Sequence, residues 1–594
     1  STPLYSSAAS DVYKRQKRAW RNPWFPVSVC MVLAALGCPK PGGTAATDAG
    51  PSVATADGSV RHQDAGNTAM LDASNPADAS SPPDASSPPD ASNPADAGSL
   101  PDAALPPDAG DPMTADAGDP VVDAGSPPDA GADAGTIQQP TPFDVWKYRE
   151  PIYELYVRHF SEEGNFKAVE ARLPELKALG IGIVWLLPVN EIGSIVAVNG
   201  GEAIDAPFGN PYAVKSYERL NAEYGTDGTQ ESAESDLRDL ADRAHALDMR
   251  VIIDWVPNHT AWDNPLMQEH PDWYVWENGQ VKSVGESFRW IAQLDWSNQA
   301  LRTYMTETMR AFVEKFDVDG FRIDFAHNMP LQFFDDLRPV LETVNPMFLV
   351  AEAGIRAFHP TFDMTYDWSV YPKMGDVAHG QRTVSAIDDA LYYDQFLPYL
   401  DAPDALSMRM TYNHDDNGVF RLQDRYLGGI KTFAVLAGTL PGKPLVFDGQ
   451  EVGFGVRIGG QVHPSAPLTH DPAVKIDWSD PDGFRPFYTK LLQLFRANSA
   501  LHHRGFADFR KIDTVPADTP YAFVRRDGEN VVVVLLNLSP YDHSNVTLTP
   551  SPNAGTIDGT YLELFTGMTQ LLQANMSVHL GPWEYRVYVR GPAG

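Results

Sequence analysis

Residues 181–189 read IGIVWLLPV and residues 250–256 read RVIIDWV. Neither stretch alternates apolar with polar residues, as a strand with one wet face would. Near-continuous apolar runs of this length mark strands buried on both faces, which is the situation in a parallel sheet covered by helices. Between them lies helical periodicity. Upstream, Phe166, Val169, Leu173, Leu176 and Leu179 fall on one helix face, and Gly180 stops that helix. Leu237, Leu240, Ala244 and Leu247 mark the next helix.

The same alternation extends outward. Strand candidates occur at residues 151–160, 318–325, 348–351, 362–368, 408–413 and 444–447, and residues 301–316 read as a helix. With the first two runs this gives eight strand candidates, with helices between most of them. The pattern predicts an α/β fold, a (β/α)8 barrel over residues 143–498, with a short inserted domain after the third strand at residues 260–297. Beyond it, runs at 521–525, 530–537, 544–549, 561–564 and 585–589 are short and separated by turn residues. They predict a C-terminal antiparallel β-sandwich over residues 499–594.

The N-terminal quarter has another texture. The run DVYKRQ at 11–16 is what one frame of a transposon-based sequencing adapter would encode, so residues 1–16 are expected to be an artefact. Lys17, Arg18 and Arg21 precede a short apolar run at 27–37, and Cys38 follows Gly37. This reads as a signal peptide over 17–38, since the run is too short to span a bilayer. Its end resembles a lipobox, which implies a lipid anchor at Cys38; an ordinary secretory leader is the other reading. Asp72, Asp78, Asp84, Asp90, Asp96, Asp102 and Asp108 then recur every six residues in a Pro- and Ala-rich segment. Residues 39–142 have too few large apolar side chains to offset ordering entropy, and are expected to be a disordered tether. The expected location is outside the cytoplasm: a cell-surface or periplasmic lipoprotein, or a secreted protein.

Composition narrows the function. The 594-residue chain carries a formal net charge of −33, which repels phosphate backbones and excludes a nucleic-acid partner. Aromatic residues make up 11 %, with 13 Trp, which favours a ligand with flat apolar faces. The two cysteines, Cys30 and Cys38, both lie in the leader, so the globular part has no thiolate chemistry.

Polar clusters close several predicted strands. Asp254 with Asn258 and His259 ends one, Arg322 and Asp324 the next, Glu352 a third, and Asn413, His414 and Asp415 a fourth. In a barrel all these ends meet at one face. Three carboxylates, one Arg and two His would converge there, which is the inventory for glycoside hydrolysis.

In this order and context the segments resemble those of glycoside hydrolase family 13, the α-amylase family, over roughly residues 148–594. They read DWVPNH at 254–259, GFRID at 320–324, VAE at 350–352 and NHD at 413–415, supported by NPYAVKSY at 210–217. The resemblance implies Asp324 as nucleophile, Glu352 as general acid/base and Asp415 as the group that steadies the transition state. It implies that Arg322 keeps Asp324 ionised, that His259, His414 and Tyr212 bind the same sugar, that His327 stands at a downstream subsite, and that Asp254 is structural. It also raises calcium as a cofactor, with Asn258 and Asn328 at ligand positions, although Gln293 stands where the family places an aspartate. The expected partner is an α-glucan, with a membrane reached only through the Cys38 anchor. The expected activity is retaining α-1,4-glucan hydrolysis of the α-amylase type. An α-glucosidase or glucanotransferase of the same family is the alternative, and a non-catalytic glucan-binding protein is disfavoured by the three carboxylates. Trp262, Trp273, Trp276 and Trp290 are open to two readings, sugar stacking or packing of the insert.

Overall fold

A computed structural model describes residues 142–594 apart from 200–201, 206–208, 286–287, 355, 393–405, 417–420, 454–474, 503–508 and 552–554. The expected artefact, leader, Cys38 anchor and tether lie outside the described residues.

Eight parallel strands close into a barrel in sequential order. They are β1 (Ile152–Leu155), β2 (Ile183–Leu186), β3 (Arg250–Trp255), β4 (Gly320–Ile323), β5 (Phe348–Ala351), β6 (Met364–Tyr366), β7 (Leu406–Arg409) and β8 (Lys443–Phe447). Every residue of these strands is buried, which is why their sequences do not alternate. The α/β barrel expectation therefore holds, with several strands shorter than their apolar runs suggested. The run at 151–160 pairs only as far as Leu155 and then turns into a helical segment, Val157–Phe160. The strand expected at 408–413 pairs at 406–409, and its last four residues leave the ladder to form the barrel's upper rim.

The helices start where their caps dictate. Asn165 accepts from the Ala168 amide and opens helix Phe166–Leu179, which ends at Gly180 with φ 107°. Asn298 caps Gln299–Phe316 in the same way. Gly320 opens β4 for a packing reason: a Cβ there would lie 2.0 Å from the Phe348 carbonyl oxygen on β5.

Two excursions rise above the strand ends. Strand segment Asn190–Ile192 pairs with Val214–Leu220, and His259–Thr260 pairs with Ala292–Gln293. Ala213, Ala261 and Ile291 form a small apolar core between these two excursions, with Phe288 and Trp290 packed against it.

The C-terminal strands form one eight-stranded antiparallel sheet. A sandwich was expected; here the strands belong to a single hydrogen-bonded sheet. Its central strand, Asn530–Asn537, is apolar from Val531 to Leu536 because it is buried on both faces. Val532, Val534 and Leu536 join the large core shared with the barrel, and Val531, Val533 and Leu535 join a second core with Ile512, Leu572 and Leu580. Arg525 ties the sheet to the barrel by donating to the Thr439 carbonyl at 2.9 Å.

Candidate active site

The barrel register sets the site. Arg322 on β4 lies opposite Asp254 on β3, and Asp324 follows two residues later on the same face. One guanidinium then serves three carboxylates. Its Nη1 donates to Asp254 Oδ1 at 2.9 Å and to Asp324 Oδ1 at 2.8 Å, and Nη2 lies 3.2 Å from Glu352 Oε2. Its Nε donates to the Tyr366 hydroxyl at 3.2 Å. Trp185, Tyr212 and Tyr366 place their rings 5.5 to 5.8 Å from the guanidinium carbon. With one cation and three buried acids in contact, the cluster favours holding a proton. Burial and the Glu352 carboxylate push the Asp324 carboxyl well above the usual range, against the pull of Arg322. Burial likewise raises Asp254 to about 6. Arg322 orients Asp324, as the resemblance implied, but at this site burial and Glu352 outweigh it in setting the protonation of Asp324.

Asp324 is anchored through Oδ1 alone. Its Oδ2 is buried and has no hydrogen-bond partner, and the nearest ring nitrogen, His259 Nε2, is 3.8 Å away. Glu352 follows β5 and is held from two sides. Its Oε2 accepts from the Phe325 amide at 2.6 Å, and its carbonyl oxygen lies 2.8 Å from His327 Nδ1. The first bond depends on an uncommon backbone: Phe325 has φ 50°, a left-handed conformation costly for a bulky residue.

The histidines differ in charge. His259 is buried, with Nε2 3.0 Å from the Tyr212 carbonyl oxygen, and burial lowers its ring to about 4, so it is neutral. Burial would also lower His414, but the Asp415 and Glu154 carboxylates outweigh it and raise the ring to about 9. His414 Nδ1 is bonded to Glu154 Oε1, and Nε2 lies 2.9 Å from the Tyr212 hydroxyl and 3.4 Å from Asp415 Oδ1. Tyr212 stacks on the His414 ring at 5.3 Å and donates to Asp254 Oδ2 at 2.9 Å. Asp415 is half-exposed at the cleft edge, with 39 % of its side chain accessible.

The structure thus brings Tyr212, Asp254, His259, Arg322, Asp324, Glu352, His414 and Asp415 together, with His327 behind Glu352. Three contributors were missed. Glu154 was hidden inside the run read as strand β1, although a lone carboxylate in a fully buried strand is itself a signal. Tyr366 and Phe325 carried no such mark, because a phenol partner and a positive φ are tertiary facts. Packing accounts for most of the insert tryptophans, since Trp262 and Trp290 lie against the buried cores. Trp273 is buried and stacks on His270 at 3.9 Å, so it packs the insert, whereas Trp290 stands 6.2 Å from His259 at the cleft and Trp276 is exposed.

The residues at the expected calcium position are neutral. Asn258 is buried, with its amide nitrogen 3.2 Å from His259 Nδ1, while Asn328 is exposed. Gln293 is neutral, and Asp295 accepts from its own Ser297 hydroxyl at 2.7 Å. Calcium takes carboxylate, side-chain amide and backbone carbonyl oxygens, so Asn258, Gln293 and Asn328 could each lend an oxygen, but none of them brings the charge of a carboxylate. Among the described residues a group of metal-ligating side chains occurs at Asp242, His245 and Asp317, at the opposite end of the strands, where Arg238 Nη2 already reaches Asp242 at 2.9 Å.

Comparison with known proteins matches this architecture. The family described as Alpha amylase, catalytic domain, matches residues 130–339. Over that stretch the chain resembles an alpha-amylase catalytic domain. It is accordingly an enzyme, an alpha-amylase-like glycoside hydrolase. Alpha-amylase 2 of Dictyoglomus thermophilum is 21 % identical over 481 residues, covering 73 % of this chain and 76 % of that protein. Glucan 1,6-alpha-glucosidase of Streptococcus pneumoniae is 21 % identical over 523 residues, covering 67 % and 92 %. Among solved structures, the maltogenic alpha-amylase AmyB of Thermotoga neapolitana superposes with a TM-score of 0.63 at 25 % identity, covering 75 % of this chain and 99 % of that one. Relatives with this alpha-amylase domain therefore include both amylases and glucosidases.

Proposed function

We propose that the protein is a retaining α-amylase-type hydrolase that cleaves α-1,4 bonds in starch, glycogen or maltooligosaccharides through a covalent glycosyl-enzyme. The observation that carries this reading is the pairing of Asp324 and Glu352 on one Arg322, with the second oxygen of Asp324 left free. A nucleophilic carboxylate needs one oxygen held and one available, and Asp324 has that arrangement.

The steps follow from the residues present. Asp324 Oδ2 attacks the anomeric carbon while Glu352 gives its proton to the departing glycosidic oxygen. One proton shared between the two acids suffices: it leaves Asp324 ionised when Glu352 holds it. Glu352 then takes a proton from water, and the resulting hydroxide releases the sugar from Asp324. Asp415, at the cleft edge, accepts from sugar hydroxyls and steadies the positive charge that develops on the ring. His259 and Tyr212 line the same wall, and Trp290 extends it towards the insert. Export with the enzyme lifted off a surface by its tether belongs to the same proposal and rests on residues 17–142 of the sequence alone.

The test is incubation with soluble starch and, separately, with maltotriose, followed by chromatography, with Glu352→Gln as control. A ladder of shorter maltooligosaccharides from starch supports the amylase reading. Glucose alone would replace it with an exo-acting glucosidase, and products longer than maltotriose with a glucanotransferase. Equal behaviour of wild type and variant would remove the catalytic assignment.

A further inference from the structure

Glu154 sits in the middle of β1 with no accessible surface. A carboxylate fully withdrawn from water is costly unless its charge is met. Its Oε1 is bonded to His414 Nδ1 across the barrel, and its Oε2 has no hydrogen-bond partner. The bond therefore has to do most of the work of stabilising the buried charge, and an imidazolium does that better than a neutral ring.

The other side of the ring agrees. Tyr212 donates its single hydroxyl proton to Asp254 Oδ2, so the same hydroxyl can only accept from His414 Nε2, 2.9 Å away. Asp415 Oδ1, 3.4 Å from that nitrogen, also calls for a donor. Both ring nitrogens then carry protons. We propose that Glu154 is a positioning residue that keeps His414 protonated on both nitrogens, so that a fixed positive charge orders Tyr212 and Asp415 beside the sugar.

The groups facing the ring come from several strands. Glu154 faces it from β1, the edge of Trp185 from β2, and Asp254 through Tyr212 from β3. Arg322 on β4 opposes the protonated state, whereas Asp415 and Asp448 favour it. Glu154 and Asp415 are in contact with the ring, and Arg322 is engaged by three acids of its own, which sets the sign in favour of the imidazolium.

The contribution of Glu154 can be separated from the fold. In Glu154→Gln the amide oxygen can still accept from Nδ1, but it brings no charge. The ring then reverts to a neutral form, the Tyr212 hydroxyl turns to donate to Nε2, and Asp254 loses that donor. The experiment is NMR titration of isotope-labelled histidine in the full-length protein, with His414→Asn to identify the resonance. Wild-type His414 should remain an imidazolium through neutral pH, and in Glu154→Gln its titration should move down by at least two pH units. The alkaline limb of kcat should move down with it, KM should change less than threefold, and Glu154→Asp should restore the wild-type limb. A wild-type ring that is neutral at pH 7, or a titration unchanged in Glu154→Gln, would overturn the proposal. The activity arm rests on the hydrolase reading above, but the wild-type titration does not, so the two can fail separately, and it holds even if the variant does not fold.

Discussion

Arg322 Nη1 lies 2.9 Å from Asp254 Oδ1 and 2.8 Å from Asp324 Oδ1, so a single nitrogen joins neighbouring strands of the barrel. The contact follows from the ladder, in which Arg322 and Asp254 are direct partners. Because Nη2 and Nε of the same group reach Glu352 and Tyr366, the guanidinium fixes the relative positions of both acids.

Arg322→Lys keeps the charge but has one nitrogen in place of three, and cannot hold that geometry. Turnover on starch should fall by about 100-fold, the size expected when a preorganised electrostatic contact is lost. Thermal unfolding should shift down by the equivalent of about 3 kcal/mol, as for a broken buried ion network. Steady-state kinetics and calorimetry on the same preparation check both, and a kinetically normal variant would mean that backbone contacts alone place the acids.

Gly320→Ala tests the closeness of β4 and β5. The added Cβ would meet the Phe348 carbonyl oxygen at 2.0 Å, and backbone cannot swing away as a side chain can. Overpacking of this kind costs about 1–3 kcal/mol or more. Since Arg322 and Asp324 ride on β4, the variant should lose activity more steeply than stability, as read from kcat against unfolding temperature.

Removal of metal gives the opposite expectation. Asn258, Gln293 and Asn328 can lend calcium only neutral oxygens, and Asp295 Oδ1 already accepts from the Ser297 hydroxyl, so an ion at this place would be held weakly. Prolonged dialysis against a chelator should leave both activity and unfolding temperature unchanged. A loss that calcium alone restores would show that the insert rearranges to build a site.

These relationships were unequally legible in the sequence. The eight strands were visible because each is buried on both faces, and the GFRID stretch (residues 320–324) announced itself because Arg322 and Asp324, two apart, must share a strand face. The exact strand ends were not visible, since the apolar run at 151–160 continues after pairing stops at Leu155 and only the ladder decides where that is. Strands such as Thr569–Leu572 and Ser577–Leu580 were missed because each buries only alternate or terminal residues over four positions, a signal too short to read. Their union into one sheet depends on pairings distant in sequence. Glu154 was readable in principle as a charge in an apolar strand, but its partner lies 260 residues away.

The most discriminating prediction concerns Glu352→Gln. Glutamine can still accept the Phe325 amide but holds no transferable proton. Turnover on starch should fall by about 1,000-fold, within the span for loss of a general acid. An α-maltosyl fluoride needs no protonated leaving group, so its first step should be largely spared. The pH dependence of that step then reports on Asp324. Burial and the Glu352 charge both raise the Asp324 carboxyl in the wild type. Removing the Glu352 charge leaves burial and Asp254 against Arg322, so the nucleophile should ionise at lower pH than in the wild type. The acid limb, where activity appears as Asp324 loses its proton, should therefore move down in the variant relative to wild type on the same fluoride. In the wild type the acid limb belongs to the coupled pair rather than to either acid, and in the variant it should report on Asp324 alone. An acid limb that stays in place would show that the two carboxyls do not sense each other, and would undo the shared-proton account of the site.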